Sequence, residues 1–331
     1  MEFGPVPPAR AEGAILAHSL TLPDGRLRKG KALKSEDISR LQAAGIDEVT
    51  VARLGPEDLG EDAAATAIAA ALVPDPAAAH LRLTPASTGR VNLMALGPGV
   101  VEIDVEKVEA LNRVDPMITL ATLPPFGRVT ERTMLATVKI ISYGVARSAV
   151  EAACKAARDA IRVRPVRMSS ASLIMTDIGE GPGKGEDAIG NRLKTLGIDL
   201  SEVTVTPHRT APLAKAVSAA KGELILILTA SATSDIRDVA PEAVRHAGGE
   251  VTRFGMPVDP GNLLFIGALG NRSVIGLPGC ARSPALNGAD WVLERVVTGV
   301  PVGDAEIAAM GVGGLLKDIP IRGLPRSRTG G

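Results

Sequence analysis

Glu223-Leu224-Ile225-Leu226-Ile227-Leu228-Thr229 is the stretch from which the fold of this chain is read. Five consecutive aliphatic residues without polar alternation make a strand buried on both faces, the pattern of a central strand in a parallel sheet. Outward from it, residues 211–221 and 239–247 have helical spacing, and the second helix stops at Gly248 and Gly249. Strands are expected at 173–176 and 203–206, with a helix over 186–196 ended by Gly197 between them. Short strands at 251–254, 263–266 and 273–277 lead to a last helix over 283–297. This alternation predicts an α/β domain, a mostly parallel sheet in a three-layer α/β/α arrangement.

Such sheets bind ligands outside the carboxyl ends of their strands, so the residues just past each strand form the candidate site. The first loop runs Thr176-Asp177-Ile178-Gly179-Glu180-Gly181-Pro182-Gly183-Lys184-Gly185, and the second is Pro207-His208-Arg209-Thr210. The third is Thr229-Ala230-Ser231-Ala232-Thr233-Ser234-Asp235-Ile236-Arg237-Asp238, and the fourth Gly276-Leu277-Pro278-Gly279-Cys280-Ala281-Arg282-Ser283. In the fourth, a Gly-Leu-Pro-Gly turn lets the backbone approach a ligand, and the first amides of the expected helix favour an anion. Hydroxyls, the carboxylates of Asp177, Glu180, Asp235 and Asp238, and several cations around helix starts suit an oxygen-rich phosphate ligand, held with Mg²⁺.

Standard nucleotide and metal motifs do not fit. The 179–185 loop has Gly183-Lys184 but lacks both the first glycine of a P-loop and a Ser or Thr after Lys184. Lys184 also stands where a dinucleotide fingerprint has its third glycine. His18, His80, His208 and His246 are isolated and neither cysteine has a second nearby, which argues against zinc. Of the four histidines, only His208 lies in a candidate site loop.

Composition narrows the function classes. The 331 residues, 45% of them hydrophobic, suffice for two domains. Lys and Arg number 37 and so do Asp and Glu, so no broad field points to nucleic acid or a membrane. Aromatic residues make up only 2%, too few for base-stacking platforms. Cys154 and Cys280 form no disulfide framework, and no apolar run approaches a membrane span, so the expectation is a cytoplasmic protein with a small-molecule ligand.

The N-terminal part has a different texture. The first dozen residues, with Pro5, Pro7 and Pro8, read as an extended lead-in. Strands at 14–18 and 46–52 flank a helix that starts after a capping Ser35 and stops at Gly45, and an alanine-rich helix covers 57–72. Residues 91–103 read as a hairpin, 104–114 as a helix capped by Asp104, and 118–123 and 132–141 as strands. The expected division is an N-terminal α+β domain over 13–145, a connecting helix and linker over 146–167, the α/β domain over 168–300 and a tail over 301–331.

On these residues the region from about 168 to 299 resembles the molybdenum-cofactor biosynthesis domain, the fold shared by molybdopterin adenylyltransferases and molybdopterin molybdenumtransferases. Where the family has Thr-Gly-Asp-Glu after its first strand, this chain has Thr176-Asp177 with Glu180 and a longer glycine-rich insertion. Asn191 and Leu193 match the next helix. The family's Thr-Gly-Gly-x-Ser-x-Gly-x-x-Asp is rendered here as the 229–238 loop, with Ala230 and Ser231 in place of both glycines and Asp238 kept. Pro260-Gly261 and the 276–281 block match in order and spacing, with Cys280 where the family has Asn. More weakly, Gly13-Ala14-Ile15-Leu16-Ala17-His18 through Val49-Thr50-Val51 resembles a segment of the molybdenumtransferase branch, so the chain reads as a divergent, stand-alone member.

The resemblance implies a ligand, molybdopterin or its adenylylated form, with Mg²⁺ and molybdate. It implies contacts from Thr176, Lys184, Asn191, Thr229, Ser231, Thr233, Ser234, Gly276, Pro278, Gly279, Cys280, Arg282 and Ser283. Catalytic work would fall to Asp177, Glu180 and Asp238, with Asp177 and Asp238 on the metal and Arg282 and Lys184 on phosphates. The chemistry is adenylyl transfer or molybdate insertion into the dithiolene. A non-catalytic cofactor-binding or delivery protein, and a nucleotide pyrophosphatase resembling the competence-damage protein domain, stay open as alternatives. Cys280 is either a buried inert thiol or a thiolate touching molybdenum. A homo-oligomer, and a molybdoenzyme or nucleotidyltransferase partner, are also implied.

Overall fold

The computed structural model describes residues 1–316 and divides the chain into two compact units. One comprises Met1–Gly97 with Val101–Val163, the other Pro98–Val100 with the chain from Arg164 onward. The first unit opens with β1 (Glu2–Val6), β2 (Ile15–Leu16), β3 (Leu20–Leu22), β4 (Gly25–Leu27), α1 (Ser35–Ala43) and β5 (Val49–Arg53). It continues through β6 (Asp58–Gly60), α2 (Glu61–Leu72), β7 (Leu81–Leu83), β8 (Arg90–Ala95), β9 (Gly99–Ile103), α3 (Val105–Asn112) and β10 (Ile118–Thr122). Then come β11 (Arg128–Val129), β12 (Met134–Ile140), β13 (Gly144–Ala146), α4 (Arg147–Ala156) and β14 (Ile161–Pro165).

Several expectations for this part differ from the structure. The lead-in contains β1, which pairs antiparallel with β5 at the edge of the β1-β5-β2 sheet. Its prolines hide it because the pairing is made by the backbone at an edge, where Pro5 is tolerated. Residues 91–103 do not form a hairpin: β8 joins a β10-β12-β8-β7 sheet and β9 a β11-β9-β14 sheet. Within 146–167, the expected connecting helix and linker, the helix is α4, and Val150, Ala153, Ile161 and Val163 are buried in the same core as Leu72, Leu93 and Val138. The Ser35 cap is also displaced by one residue: Lys34 is the N-cap, and its backbone N–H donates to the Asp37 carboxylate at 3.1 Å. By contrast, α3 is capped by Asp104 as its sequence suggests, the carboxylate accepting from the Lys107 N–H.

The second unit is built on β15 (Ser170–Asp177), β16 (Asp199–Pro207), β17 (Leu224–Leu228), β18 (Glu250–Phe254), β19 (Phe265–Leu269) and β20 (Arg272–Leu277). Their order is β16-β15-β17-β20-β19-β18; the first four run parallel, and β19 and β18 are antiparallel additions. Helices α5 (Glu186–Thr195), α6 (Thr210–Ala219), α7 (Val239–His246) and α8 (Gly288–Val297) cover both faces. The apolar run of β17 explains the layering, because its side chains alternate between faces. Leu224, Leu226 and Leu228 pack with Ile189 and Leu193 of α5 and Val292 and Leu293 of α8, while Ile225 and Ile227 pack with Leu213 and Val217 of α6 and Val244 of α7. All five are 0% exposed, and each such side chain is worth about 1.5–3 kcal/mol of burial.

Register fixes where the loops emerge. Asp177 pairs with Pro207, Met175 with Leu228, and Leu228 with Leu277, so the carboxyl ends of β15, β16, β17 and β20 lie at one edge of the sheet. The last helix differs from its expectation. The turn after β20 opens a short 3-10 helix, Gly279–Arg282, and α8 starts only at Gly288, where Asn287 and Asp290 form a capping box. Residues 301–316 are not a free tail, since they include α9 (Asp304–Ala308) and bury Ile307 and Met310 in the core. The remainder of the expected tail, 317–331, lies outside the described residues. Among the described residues no helix is long and apolar enough to cross a membrane.

Candidate functional site

The site is assembled around the end of β15. Thr176 is fully buried, and its Oγ1 accepts the Ala230 N–H at 2.7 Å and lies 2.9 Å from Nδ1 of His208. One hydroxyl thus ties the exits of β15, β16 and β17 together. Asp177 follows, its Oδ1 accepting from the N–H groups of Gly179 and Glu180 at 2.8 and 3.1 Å, which folds the start of the glycine-rich loop. That loop ends at Gly185, where φ is +152° and a Cβ would lie 2.6 Å from Leu228 Cδ2, so only glycine fits.

The fourth loop reaches the others through Arg282. Its Nη1 donates to the carbonyls of Pro182 and Lys184 at 3.0 and 2.5 Å, and its Nη2 to the Thr229 carbonyl at 2.9 Å. Three of the four loops therefore meet on one guanidinium. Burial lowers its pKa from the usual arginine value, yet arginine stays protonated at neutral pH. A guanidinium expected on phosphates is instead engaged with backbone carbonyls through both terminal nitrogens.

A second arginine, not selected from sequence, supports the same turn. Arg192 of α5 is 9% exposed and donates through Nε to Asp290 Oδ1 at 2.6 Å. Its Nη1 donates to the carbonyls of Ala281 and Ala188, and its Nη2 to those of Ser283 and Ala285. Asp290 Oδ2 accepts the Asn287 N–H at 2.8 Å, joining the arginine to the cap of α8. The signal was present in the sequence: a charge between Ile189 and Leu193 on the apolar stripe of α5, with Asp290 likewise set among apolar residues of α8.

The remaining expected residues are dispersed. Gly276 lies within β20, where a Cβ would come 1.8 Å from Phe265 Cε1, so its glycine is explained by packing inside the sheet layer. Pro278 precedes the 3-10 turn that Gly279 starts, and nothing lies within 4 Å of a Cβ at Gly279. The Ser283 hydroxyl accepts the Ala285 N–H. Asp238 is the N-cap of α7, with Oδ1 accepting from Val239 N–H at 2.7 Å and Oδ2 from Ser234 N–H at 2.9 Å. Thr229 and Thr233 are buried with hydroxyls 3.5 Å apart, while Ser231, Ser234, Glu180 and Lys184 are exposed. Asn191 is exposed in the middle of α5. Among the described residues no group of three or more His, Cys, Asp or Glu is placed to hold a metal ion.

Cys280 is half-buried, and burial raises its thiol pKa above the ordinary value. At pH 8 its thiolate fraction is therefore below that of a free cysteine. Alkylation by iodoacetamide is expected to run more slowly at Cys280 than at a free cysteine peptide, as read by peptide mass spectrometry with a Cys154→Ser background; a faster rate would indicate an activated thiol.

Beside the carboxyl ends of β15 and β16 is an open cavity of about 660 Å³ lined by Asp177, Ile178, Gly179, Val205, Thr206, Pro207, His208 and Arg209. It is polar along Asp177, His208 and Arg209 and apolar at Ile178 and Val205, which are 60% and 50% exposed.

Residues 179–297 match the family described as "Probable molybdopterin binding domain", and residues 5–53 match a domain of unknown function, DUF8806. Among curated proteins no sequence matches the chain. The molybdopterin biosynthesis MoeA protein from Pyrococcus horikosii is a similar solved structure, 12% identical, covering 91% of this chain and 76% of its own, with a TM-score of 0.32. The molybdopterin biosynthesis enzyme MoaB from Thermus thermophilus is 19% identical over 40% of this chain and 99% of its own, with a TM-score of 0.29. The protein CinA, of unknown function, from Thermoplasma acidophilum is 19% identical over 35% of this chain and 90% of its own, with a TM-score of 0.28.

Proposed function

We propose, from the premise that residues 179–297 form a molybdopterin-binding domain of the molybdenum-cofactor biosynthesis type, that this chain binds molybdopterin or its adenylylated form and holds it for cofactor assembly. The observation that carries this reading is the meeting of the first, third and fourth strand-end loops on Arg282 and of the second, through His208, on Thr176. These contacts hold a cluster of loops at the sheet edge where open α/β sheets receive ligands. The exposed cations Lys184 and Arg237, on two of these loops, are the groups for a ligand phosphate.

Holding without turnover is favoured by the donor set. Mg²⁺ at a phosphate site usually takes one or two carboxylates. Both oxygens of Asp238 already accept backbone N–H groups, and so does one oxygen of Asp177, with Glu180 exposed. Asp238 is thus committed to capping α7, and Asp177 keeps a single oxygen for a cation. Ala230 and Ser231 further stiffen the loop where two glycines would allow the backbone to wrap a phosphate. The test is AMP release when molybdate is added to the protein carrying adenylylated molybdopterin. No release above the protein-free control is expected; stoichiometric release would make the chain a molybdenumtransferase and overturn the holding reading while leaving binding intact.

Arg282→Lys offers a further check, because one ammonium cannot span three carbonyls in the fork geometry of a guanidinium. Trypsin is expected to cut after the exposed Lys184 at least about tenfold faster in this variant, the loop having lost hydrogen bonds worth roughly 0.5–1.5 kcal/mol each. Unchanged cleavage would show that the loop is ordered by other means.

A further inference from the structure

Thr176 fixes the state of His208. The Thr176 hydroxyl is 0% exposed and has two hydrogen-bond partners, the Ala230 N–H and His208 Nδ1. The amide can only donate, so among the described residues the acceptor within reach of the buried hydroxyl hydrogen is Nδ1. His208 is then the neutral tautomer with its proton on Nε2, and the residue lines the 660 Å³ cavity. His246 supplies an internal contrast: its Nδ1 is 2.9 Å from the Glu242 carbonyl, which can only accept, so there Nδ1 carries the proton.

Asp177 lines the same cavity, and Oδ1 of its carboxylate accepts from backbone amides while Oδ2 does not. An N–H donor and a carboxylate acceptor, beside the apolar side chains of Ile178 and Val205, match the edge and faces of a flat ring, and Arg209 on the same wall can offset the charge of the carboxylate. We propose that this cavity takes the 2-amino-4-oxopyrimidine edge of the ligand, with His208 Nε2–H donating to the ring oxygen and Asp177 accepting from the 2-amino group. This rests on the reading of the chain as a pterin binder and adds what selects the ring. Thr176 is then a positioning residue, since its hydroxyl holds the histidine in the donating tautomer.

The test begins with the parent protein. ¹⁵N spectra of labelled imidazoles are expected to show His208 with a bare Nδ1 and protonated Nε2, and His246 with the reverse; the opposite assignment for His208 overturns the proposal. Titration with neopterin, a 2-amino-4-oxo ring, and with its 2,4-diamino counterpart, which puts a donor where the oxygen was, should favour neopterin at least about tenfold, the scale of one lost hydrogen bond with its partner left unpaired. His208→Asn keeps an acceptor for Thr176 but removes the outer donor, and should abolish the preference. Thr176→Ser should keep the preference and the tautomer, and Thr176→Val should lose both. Equal binding of the two rings by the parent, or no binding of neopterin, overturns the proposal. If molybdopterin still binds in that case, the pterin-holding function stands; if molybdopterin does not bind either, both fail.

Discussion

Arg192→Met is expected to destabilise the C-terminal unit by about 3–5 kcal/mol, the scale for removing one partner of a buried ion pair. The substitution keeps much of the length and apolar stem of the side chain but strands Asp290, which is 5% exposed and bonded through Oδ1 to Arg192. It also removes a guanidinium donor from the carbonyls of Ala188, Ala281, Ser283 and Ala285 at once. The last three lie in the 3-10 turn and the segment joining it to α8, so the loss of order should spread to Arg282 and the loops it gathers. Chemical denaturation monitored at Trp291, which lies on α8 one residue from Asp290, reads the change directly. Asp290→Asn separates charge from geometry: it retains an acceptor for Arg192, and a loss as large as that of Arg192→Met would show that charge neutralisation outweighs the hydrogen bonds. A change under 1 kcal/mol in Arg192→Met would mean that the turn does not depend on this arginine.

Gly276→Ala is expected to cost about 3 kcal/mol, the upper end of overpacking, or roughly 6–12 °C in Tm for a unit of this size. A Cβ at this position meets the ring of Phe265, itself 1% exposed and held on the neighbouring strand. Neither the ring nor the strand can withdraw without opening the layer shared with Ile225 and Ile227. Phe265→Leu in the same chain should recover part of the loss, with a coupling of at least about 1 kcal/mol by thermal denaturation of the four proteins in the cycle. Additive effects would place the role of Gly276 in the turn and its ligand rather than in the sheet.

Much of the C-terminal fold was legible because its strands carry their burial in their composition. A run such as 224–228 has no second interpretation of the same length, and the glycines at 197, 248 and 249 stop helices α5 and α7 where the structure ends them within two residues. The N-terminal part was legible where a cap or an alternation marks an element, as at Asp104, and illegible where pairing is a matter of backbone alone, as in β1. The turn at 96–98 shows the other limit: two apolar runs a few residues apart look like a hairpin, and only tertiary context sends β8 and β9 to different sheets.

The loops of the site were legible as loops, since strand ends in a parallel sheet are a topological consequence of the pattern. Individual roles were less so. Arg282 and Asp238 have residue types that suit phosphates and metals, and the same types also suit carbonyls and helix caps, which is how the structure uses them. Gly276 reads as a ligand-approach glycine until the ring of Phe265 is placed against it. Arg192 was passed over because a helical arginine is usually a solvated surface charge. Its neighbours Ile189 and Leu193, both nearly inaccessible, mark the face on which a charge needs a buried partner.

The proposed function requires that the cluster of loops gathered by Arg282 and Thr176 bind molybdopterin. The most direct measurement is a titration of the purified chain with molybdopterin, in parallel with Arg282→Ala. The account predicts saturable binding at one pterin per chain, weakened at least about tenfold in the variant. No saturable binding to the parent chain, or binding that Arg282→Ala leaves unchanged, would contradict it.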